Sequence, residues 1–463
     1  MLIDTLLNEG MPNSVSDMLV VDGGNGAAKA SGLTTLTVKY LGGGALTTGD
    51  GIRVVQAANG ATTDPGAFVL GNRVAAGAYE YVLSRGGDPA KGGNANDQNW
   101  YLRNTVDVEL EPSPPPSAPP EVEKPNYRVE VPLDMVVPAL VTRFGLAMLG
   151  TYHDRGGEDY GSALTAPAKE GGPPTRGWGR VFGQNGDVKY DASSLVARAN
   201  EFASQGPSYD FKMAGFQAGL DLLDKPADDN ARDVAGVSLG GGRIDSDVDA
   251  VFGGKAGSAY AEGVSLGGYW TRKGASGWYI DGVAQAIAYT RIRTTSTLGE
   301  SIDTTGWSAT ASIEGGYPFA LGAGWAVEPQ AQLVYAHNDI GGTERDRFGQ
   351  IGYDNTDALY GRIGARLTKS WQADDGRPIT AWARANIWSH FGSDAKTTFS
   401  ALNGLNPVTL STSLGGTWAQ IGVGMSAQVA RNLSAFGSVD YDAALGSGKG
   451  SGIGARVGLR AVW

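Results

Sequence analysis

Apolar and polar residues alternate with a period of two over most of the chain from residue 177 to 463. Between Ala419 and Val429, for example, every second residue is apolar and the residues between them are glycine or polar. This period indicates β-strands, whose successive side chains point to opposite faces. A soluble sheet with one wet face alternates in the same way, but globular strands average ~5–6 residues, whereas a tilted membrane-crossing strand needs ~9–11. Since most of these runs have roughly ten residues or more, they favour a membrane barrel.

The alternating runs can be counted. They are 177–184, 211–222, 234–244, 260–272, 278–291, 306–317, 325–337, 358–371, 380–390, 418–429, 433–442 and 453–463. The connections are alternately long (185–210, 245–259, 292–305, 338–357, 391–417 and 443–452) and short (223–233, 273–277, 318–324, 372–379 and 430–432). Such alternation is typical of bacterial outer-membrane barrels, which have an even number of strands. The sequence therefore predicts an all-β fold in which residues 156–463 form a twelve-stranded antiparallel outer-membrane β-barrel.

Composition agrees with a barrel and excludes several other classes. The 71 glycines, 11 tryptophans and 18 tyrosines fit crowded barrel walls and aromatic girdles at the membrane interfaces. Cysteine is absent, which excludes a disulfide framework, a thiolate metal site and cysteine catalysis. The net charge of −11 argues against a nucleic-acid partner. The first residues lack the basic region of a secretory signal, so an exported protein with this sequence is expected to begin upstream.

Three segments precede the barrel. Residues 1–104 are interpreted as all-β, with apolar runs roughly every 15 residues, as in the rungs of a β-solenoid or the strands of a sandwich. Residues 105–130 contain a proline run that predicts an extended spacer, with a ligand for a proline-binding module as the alternative. Residues 131–155 have helical spacing, with Pro138 suited to the first turn. The apolar part of this helix falls short of the ~20 residues that a membrane-spanning helix needs.

Several motifs resemble the autotransporter family, and the similarity covers about residues 15–463. Residues 77–83 and 99–104, with weaker motifs at 17–23 and 51–55, look like the end of a pertactin-type passenger. In the barrel, Trp325 followed by Glu328-Pro329-Gln330-Ala331-Gln332-Leu333 is the most specific match. This resemblance implies that residues 1–104 are the C-terminal rungs of a β-helix and act as an autochaperone. It also implies that the helix plugs the barrel lumen and that the passenger crosses the membrane unfolded. On this reading the chain is an outer-membrane translocator, with residues 1–104 at the cell surface.

The last strand resembles the signal that the barrel-assembly machinery recognises in this family. The residues assigned to this signal are Arg456, Gly458, Ala461 and Trp463, with the last two facing lipid and the first two facing the lumen. Pro329 lies inside a predicted strand, where proline removes a ladder donor. Because this proline belongs to the motif that resembles the family, the resemblance implies a tolerated bulge at Pro329.

Eight polar residues at alternating positions are candidates for the lumen face. They are Arg180, Asp281, Gln285, Glu328, Gln330, Arg362, Arg366 and Arg384. These side chains are positioned either to contact the plug helix or to pair with one another and stabilise a wet lumen. The sequence leaves both roles open.

Catalytic and cofactor signals are weak. Two G-x-S-x-G matches, at 236–240 and 263–267, lie inside alternating strands and not at the strand-to-helix turn of a serine hydrolase. His153, His337 and His390 lack metal-ligand spacing. We therefore expect no enzymatic activity, no cofactor and no metal. The expected partners are outer-membrane lipid, the barrel-assembly machinery and the protein's own passenger.

Three alternatives remain at this point. A passive porin-like channel is disfavoured by the proline run and the plug-like helix. The barrel can also be interpreted as the anchor of an adhesin or a hydrolase that lies upstream of residue 1. Some autotransporters cut their passenger at an asparagine pair within the barrel, but no such pair flanks the helix, and we expect no self-cleavage.

Overall fold

The computed structural model describes residues 1–24, 26, 28–108, 122–158, 175–190, 194–227, 230–446 and 448–463. The proline run at 112–120, predicted to form a spacer, lies outside the described residues. The described chain comprises an N-terminal unit (residues 1–108 with the strand at 122–125), two helices, and a barrel with structured loops.

The N-terminal unit is built from short strands. They are β1 (Leu2–Leu7), β2 (Leu19–Asp22), β3 (Lys29–Ala30), β4 (Thr34–Gly43), β5 (Ile52–Ala58), β6 (Thr62–Thr63), β7 (Phe68–Leu70), β8 (Val74–Ala76), β9 (Tyr79–Arg85), β10 (Trp100–Arg103), β11 (Thr105–Val108) and β12 (Val122–Pro125). The first seven stack in parallel, β1 on β4 on β7, β2 on β5 and β3 on β6. This stacking defines a β-solenoid and decides against a sandwich.

The solenoid coil is longer than the spacing of the apolar runs. Lys29 lies opposite Thr62 and Leu19 lies opposite Val55, so successive coils are 33 and 36 positions apart at these two places. Each coil contains more than one strand, which explains why apolar runs recur at about half the coil length. The described part of the unit therefore contains fewer and larger rungs than a 15-residue spacing indicates.

Antiparallel strands close the solenoid at its C-terminal end. Strand β10 pairs with β9 and with β5. Trp100 packs edge-on against Phe68 with ring centroids 5.4 Å apart, and its indole nitrogen donates to Thr63 Oγ1 at 3.0 Å. Asn104 is fully buried, and its Oδ1 accepts from the backbone nitrogen of Thr47 at 2.8 Å. Because buried polar groups need partners, these contacts tie the final strand to the coils beneath it.

Two helices follow, α1 (Glu130–Leu149) and α2 (Tyr152–Gly156). Contrary to the expectation from its sequence, helix α1 has 20 residues and is long and apolar enough to cross a membrane, but it is largely buried inside the protein. Pro132 occupies its first turn, where a missing N–H has no helical partner to lose. The expectation that Pro138 lies in the first turn is wrong, because the helix begins at Glu130. Thr142 Oγ1 instead donates to the carbonyl of Pro138 at 2.7 Å.

Among the described residues, twelve long strands form one closed antiparallel barrel. They are β13 (Arg176–Tyr190), β14 (Tyr209–Pro226), β15 (Arg232–Asp249), β16 (Lys255–Lys273), β17 (Tyr279–Ser296), β18 (Ser301–Gly316), β20 (Trp325–Ile340), β23 (Thr356–Gln372), β24 (Pro378–Phe391), β27 (Thr417–Ala430), β28 (Leu433–Leu445) and β29 (Gly448–Val462). Each pairs with the next, and β13 pairs with β29 to close the ring. The predicted twelve-stranded barrel is confirmed, with strands of 13 to 19 residues that are mostly longer than the predicted runs.

The outer surface carries two rings of exposed aromatic side chains. Trp270, Trp325, Trp371 and Trp463 lie near the short turns, whereas Trp307, Tyr335, Phe391 and Tyr441 lie nearer the long loops. Trp325 and Tyr335 stand at the two levels of one strand, ten residues apart. At ~3.3 Å per residue and a tilt of ~40°, this spacing is ~25 Å, the height of the apolar band of an outer-membrane barrel. Exposed aliphatic residues such as Leu266 and Ile363 lie between the rings.

The loops contain a helix and short strands in addition to the predicted barrel. Helix α3 (Leu195–Gln205) lies in the first long loop, and β19 (Phe319–Gly322) extends a short hairpin. Strands β21 (Thr343–Arg345), β22 (Gln350–Tyr353), β25 (Ala395–Ser400) and β26 (Val408–Thr412) form a separate sheet, here called the loop sheet. The loop sheet stands at the long-loop end and contacts both the N-terminal unit and α1.

The bulge expected at Pro329 is not formed. The pairing keeps one register across this residue, with Gly316 opposite Gln330 and Phe319 opposite Val327. The carbonyl of Pro329 accepts from the backbone nitrogen of Tyr317 at 3.2 Å. Because the N–H and C=O of a strand residue point to the same neighbour, the missing donor faces this hairpin end, and the ladder loses a bond there without a shift of register.

Candidate functional site

Helix α1 fills one side of the lumen. It packs against strands β14 to β18 and β20, with Phe144 fully buried and its ring centroid 6.3 Å from that of Tyr289. The wall contributes buried apolar side chains there, namely Ile244, Val248, Ile287, Ile292 and Val334. A helix that is apolar nearly all round requires such an enclosure. This side of the lumen is therefore less polar than strand alternation alone predicts.

Two wall side chains hold the helix backbone at fixed depth. The Tyr289 hydroxyl donates to the carbonyl of Val141 at 2.8 Å, and Gln285 Nε2 donates to the carbonyl of Gly145 at 3.0 Å. Both carbonyls lie in the helix interior, where they also accept the helical hydrogen bonds. These contacts fix the position of α1 along the barrel axis.

The segment after α1 is held by charge. Residues 151–158, together with the barrel side chains that they contact, are here called the lumen clamp. Asp154 stands at its centre and forms ion pairs with Arg384, at 3.0 Å, and with Arg456. Asp440 pairs with the same two guanidinium groups at 2.7 and 3.2 Å, and Arg180 donates to the backbone carbonyl of Asp154 at 3.2 Å.

The neighbouring residues of the clamp reach other strands. Arg155 Nη1 donates to Asp281 Oδ2 at 3.0 Å, and its Nη2 donates to Thr271 Oγ1 at 3.0 Å. The backbone nitrogen of Tyr152 donates to Glu314 Oε2 at 2.9 Å. Each contact involves a different wall strand.

The remaining side of the clamp is formed by His153 and Glu158. His153 Nε2 lies 2.9 Å from Glu328 Oε1. The Glu158 carboxylate pairs with Arg366, and its backbone nitrogen donates to Ser426 Oγ at 3.2 Å. Since successive residues of a helical turn point ~100° apart, one short segment reaches strands all round the barrel. These strands are β13, β16, β17, β18, β20, β23, β24, β27 and β29.

All eight predicted lumen residues are buried inside the barrel, but they serve two purposes. Six contact α1 or the segment 151–158: Arg180, Asp281, Gln285, Glu328, Arg366 and Arg384. Gln330 and Arg362 bind other wall residues, with Gln330 Nε2 donating to Glu328 at 2.7 Å and Arg362 pairing with Glu314 at 2.9 Å. The two roles left open by the sequence therefore apply to different members of the set.

Several participants were missing from the predicted site, among them Glu314, Asp440, Tyr289 and Asp154. Glu314 and Asp440 have lumen-facing positions within predicted strands, so their place in the alternation is a signal that could have found them. Tyr289 lies on the same face of its strand as Gln285. Asp154 lies in a helix, and nothing in its sequence neighbourhood indicates a partner 230 residues away.

The four residues assigned to the assembly signal face as expected. Arg456 enters the clamp, and Trp463 is 43% exposed on the outer surface, with Ala461 partly exposed. Gly458 faces the lumen beneath Phe436, and a Cβ at this position would lie 2.2 Å from the Phe436 ring. A side chain at Gly458 would therefore displace that ring. Recognition of these residues by the assembly machinery stays a prediction.

The other side of the lumen is open. A cavity of about 370 Å³ separates α1 from strands β13, β23, β24 and β27 to β29. Arg143, Leu146 and Ala147 face it from the helix, and Asp154 and Arg456 form its floor. The lumen clamp thus closes the space beside the helix at the short-turn end.

The two serine motifs and the three histidines do not come together. Ser238 and Ser265 are buried in β15 and β16 and face the lumen. His153 belongs to the clamp, His337 pairs with an exposed aspartate, and His390 lies against Tyr360. Among the described residues, no group of three or more histidine or carboxylate side chains could hold a metal ion.

Residues 177–440 match the family model of the autotransporter beta-domain, and residues 1–83 match that of the autochaperone domain type 1. The chain belongs to the autotransporter family, and its barrel places it in the outer membrane.

Relatives agree with this assignment. The adhesin BmaC autotransporter of Brucella suis biovar 1 (strain 1330) is 29% identical over 98% of the chain, and the pertactin autotransporter of Bordetella bronchiseptica is 30% identical over 57%. The chain spans 13% and 26% of these two proteins. The transport unit of the autotransporter AIDA-I from Escherichia coli has the same fold, with a TM-score of 0.52 and 16% identity over 73% of this chain and 100% of that one.

Proposed function

We propose that this chain carries its own N-terminal passenger across the outer membrane and anchors it at the cell surface. The path of the chain carries this proposal. The N-terminal unit stands at the long-loop end, α1 runs through the lumen, and β13 begins at the short-turn end. Short turns face the periplasm in outer-membrane barrels, so the two ends of this path lie on opposite sides of the membrane.

The size of the lumen supports export of an unfolded chain. Beside α1 it leaves about 370 Å³, which suits an extended segment and not a folded unit. The coils of the N-terminal unit then fold after they emerge. Because each coil stacks on its neighbour, the first coils to fold would template those that follow, without ATP.

Two partners follow from the surface of the barrel. The aromatic rings and the aliphatic band between them fit outer-membrane lipid. The final strand β29, which closes the barrel against β13, is the segment that we expect the barrel-assembly machinery to bind. Residues 1–104 are the part that we expect at the cell surface.

We also propose that this chain acts in transport and not in catalysis. Ser238 and Ser265 lie in wall strands, and in the described part of the chain neither hydroxyl is hydrogen-bonded to a histidine. A passive porin-like function is disfavoured because α1 and the lumen clamp occupy the lumen. An assay of purified protein with ester and peptide substrates tests this, and turnover lost in Ser238→Ala or Ser265→Ala would contradict it.

Surface labelling tests the export function. A secretion signal and an epitope tag are placed before Met1, and intact cells are stained with antibody. We expect staining of intact cells, and loss of staining when residues 453–463 are deleted, because the barrel cannot close without β29. A periplasmic marker that stays unstained controls for leakage.

Two results would contradict the proposal. One is a tag that is detected only after the outer membrane is permeabilised, although the barrel is folded. The other is export that continues unchanged after residues 15–104 are replaced by a flexible linker of equal length. That result would show that export does not depend on folding of the N-terminal unit.

A further inference from the structure

A buried contact joins the N-terminal unit to a barrel loop at the long-loop end. Arg128, between β12 and α1, is fully buried and forms an ion pair with Asp346 of the loop after β21. Its Nε donates to the backbone carbonyl of Gly77 in the N-terminal unit at 2.5 Å. The backbone nitrogen of Gly77 in turn donates to the carbonyl of Phe348 at 3.0 Å. Arg128, Gly77, Asp346 and Phe348 are here called the mouth latch.

The Gly77 contact depends on a particular backbone conformation. Gly77 forms the turn between β8 and β9 with a φ of 59°, in the left-handed region that favours glycine. A Cβ there would lie 3.4 Å from the backbone nitrogen of Ala401. The turn that the pairing of β8 with β9 forms presents the carbonyl of Gly77 to Arg128. The latch therefore fits the folded N-terminal unit and not an unfolded one.

The latch continues into the start of α1. Arg73 donates to both carboxylate oxygens of Glu130, at 2.9 and 2.8 Å, and its guanidinium lies 4.7 Å from the centre of the Phe348 ring. Arg128 Nη1 lies 3.6 Å from the same Glu130 carboxylate. Because Glu130 is the first residue of α1, these contacts connect the folded unit to the plug.

Hydrogen bonds within the loop orient Asp346 towards Arg128. Asp346 Oδ1 accepts from the backbone nitrogens of Phe348 and Gly349, both at 2.8 Å, which holds its second oxygen towards the guanidinium. Tyr40 adds a hydrogen bond from its hydroxyl to the carbonyl of Arg347 at 2.8 Å. An ion pair and hydrogen bonds thus connect the two sides of the interface.

We propose that the mouth latch is a folding-dependent lock, by which the barrel loop captures the N-terminal unit only after its last strands have folded. The biological role rests on the proposed export function. Capture keeps the folded end seated on the barrel and sets the position of α1 through Glu130. An unfolded segment lacks the Gly77 turn and passes the loop without being held.

Thiol labelling can measure the seating of the N-terminal unit, because the chain has no cysteine of its own. Ala401→Cys introduces the latch reporter, since Ala401 is buried next to Gly77. Leu405→Cys, at an exposed position four residues away, introduces the matched control reporter. Both are made in the purified full-length chain in detergent micelles, so the assay does not depend on export. A bulky maleimide is used, and heat-modifiable gel migration confirms that the barrel is folded.

Asp346→Asn should speed the labelling of the latch reporter by about tenfold or more, because the buried Arg128 then keeps only the more distant Glu130 carboxylate, which Arg73 already binds. Asp303→Asn is the control, because it removes a carboxylate from an exposed ion pair. The labelling rate of the latch reporter in this variant should stay within about twofold of the rate without the substitution. Labelling of the control reporter should be unchanged in every variant. An unchanged rate at the latch reporter in a heat-modifiable Asp346→Asn barrel would overturn the proposal.

A second variant covers the case in which Asp346→Asn disturbs the barrel. Arg128→Lys keeps the charge but cannot bond Asp346 and Gly77 together in one plane, so an intermediate rise in the labelling rate of the latch reporter is expected. No rise with Arg128→Lys would likewise reject the lock. Surface staining that persists in these variants shows that export works without the latch, so the two proposals fail separately.

Discussion

The two parts of the plug are held in the barrel by different forces. Helix α1 rests on apolar packing and a few hydrogen bonds to its backbone carbonyls. The lumen clamp around α2 is held by ion pairs to strands all round the barrel. Packing is non-directional and fills space, whereas paired charges demand geometry. The difference indicates that α1 occupies the lumen and that the clamp positions the plug and closes its floor.

Removal of the central carboxylate should break this comparison most strongly. Asp154→Asn leaves Arg384 and Arg456 sharing only Asp440, and the loss of one partner from a buried pair costs about 3–5 kcal/mol. We expect the conductance of the purified protein in planar bilayers to rise severalfold. Asp375→Asn, in an exposed pair at a short turn, is the control and should not change it. Equal conductance in the two variants would show that the clamp does not close the pore.

A cavity in α1 should have the next largest effect. Phe144→Ala removes a fully buried ring, which costs about 3–5 kcal/mol in ordinary cores. We expect α1 to become sensitive to protease while the clamp still limits conductance. Leu146→Ala, on the open side of the same helix, is the matched control and should cost less. If Phe144→Ala raised conductance as much as Asp154→Asn, α1 and the lumen clamp would not have the separate roles of filling the lumen and closing its floor.

The smallest effect is expected from a single hydroxyl. Tyr289→Phe removes the hydrogen bond to Val141, worth about 1 kcal/mol, and keeps the ring against Phe144. The protease cleaves α1 only when the helix is released from the wall, and a loss of about 1 kcal/mol raises the population of that released state about fivefold. The cleavage rate of α1 should therefore increase about fivefold. Tyr335→Phe, whose hydroxyl bonds an exposed aspartate on the outer surface, should show no increase. An equal response of the two variants would mean that Tyr289 does not hold the helix.

The predictable part of the site consists of the wall. Alternation alone placed Arg180, Asp281 and Arg384 on the inner face, because a strand side chain has only two directions. Glu314 and Asp440 lie on the same inner face, and the alternation of their strands indicates this as well. Alternation does not show which wall residue contacts the plug and which contacts another wall residue, since that depends on the depth of α1 in the lumen.

Two prolines and the loops differ from the expectations that the sequence raises. Pro329 was expected to force a bulge, but its missing donor falls at a hairpin end, where the register survives. Pro138 was expected to lie in the first turn of the helix, yet α1 begins eight residues earlier, at Glu130. The sequence does not predict the loop sheet or α3, because polar loop sequences show no clear period.

The sequence by itself determined the strand number, the alternation of long and short connections, and the faces of the wall, since these follow from backbone sterics and from the thickness of the membrane. Only the tertiary structure decided that Asp154 meets Arg384 and that Arg128 meets Asp346, pairs separated by 230 and 218 positions. Such pairs arise when the barrel closes around the helix and the N-terminal unit settles on its loops, and no local pattern records that geometry.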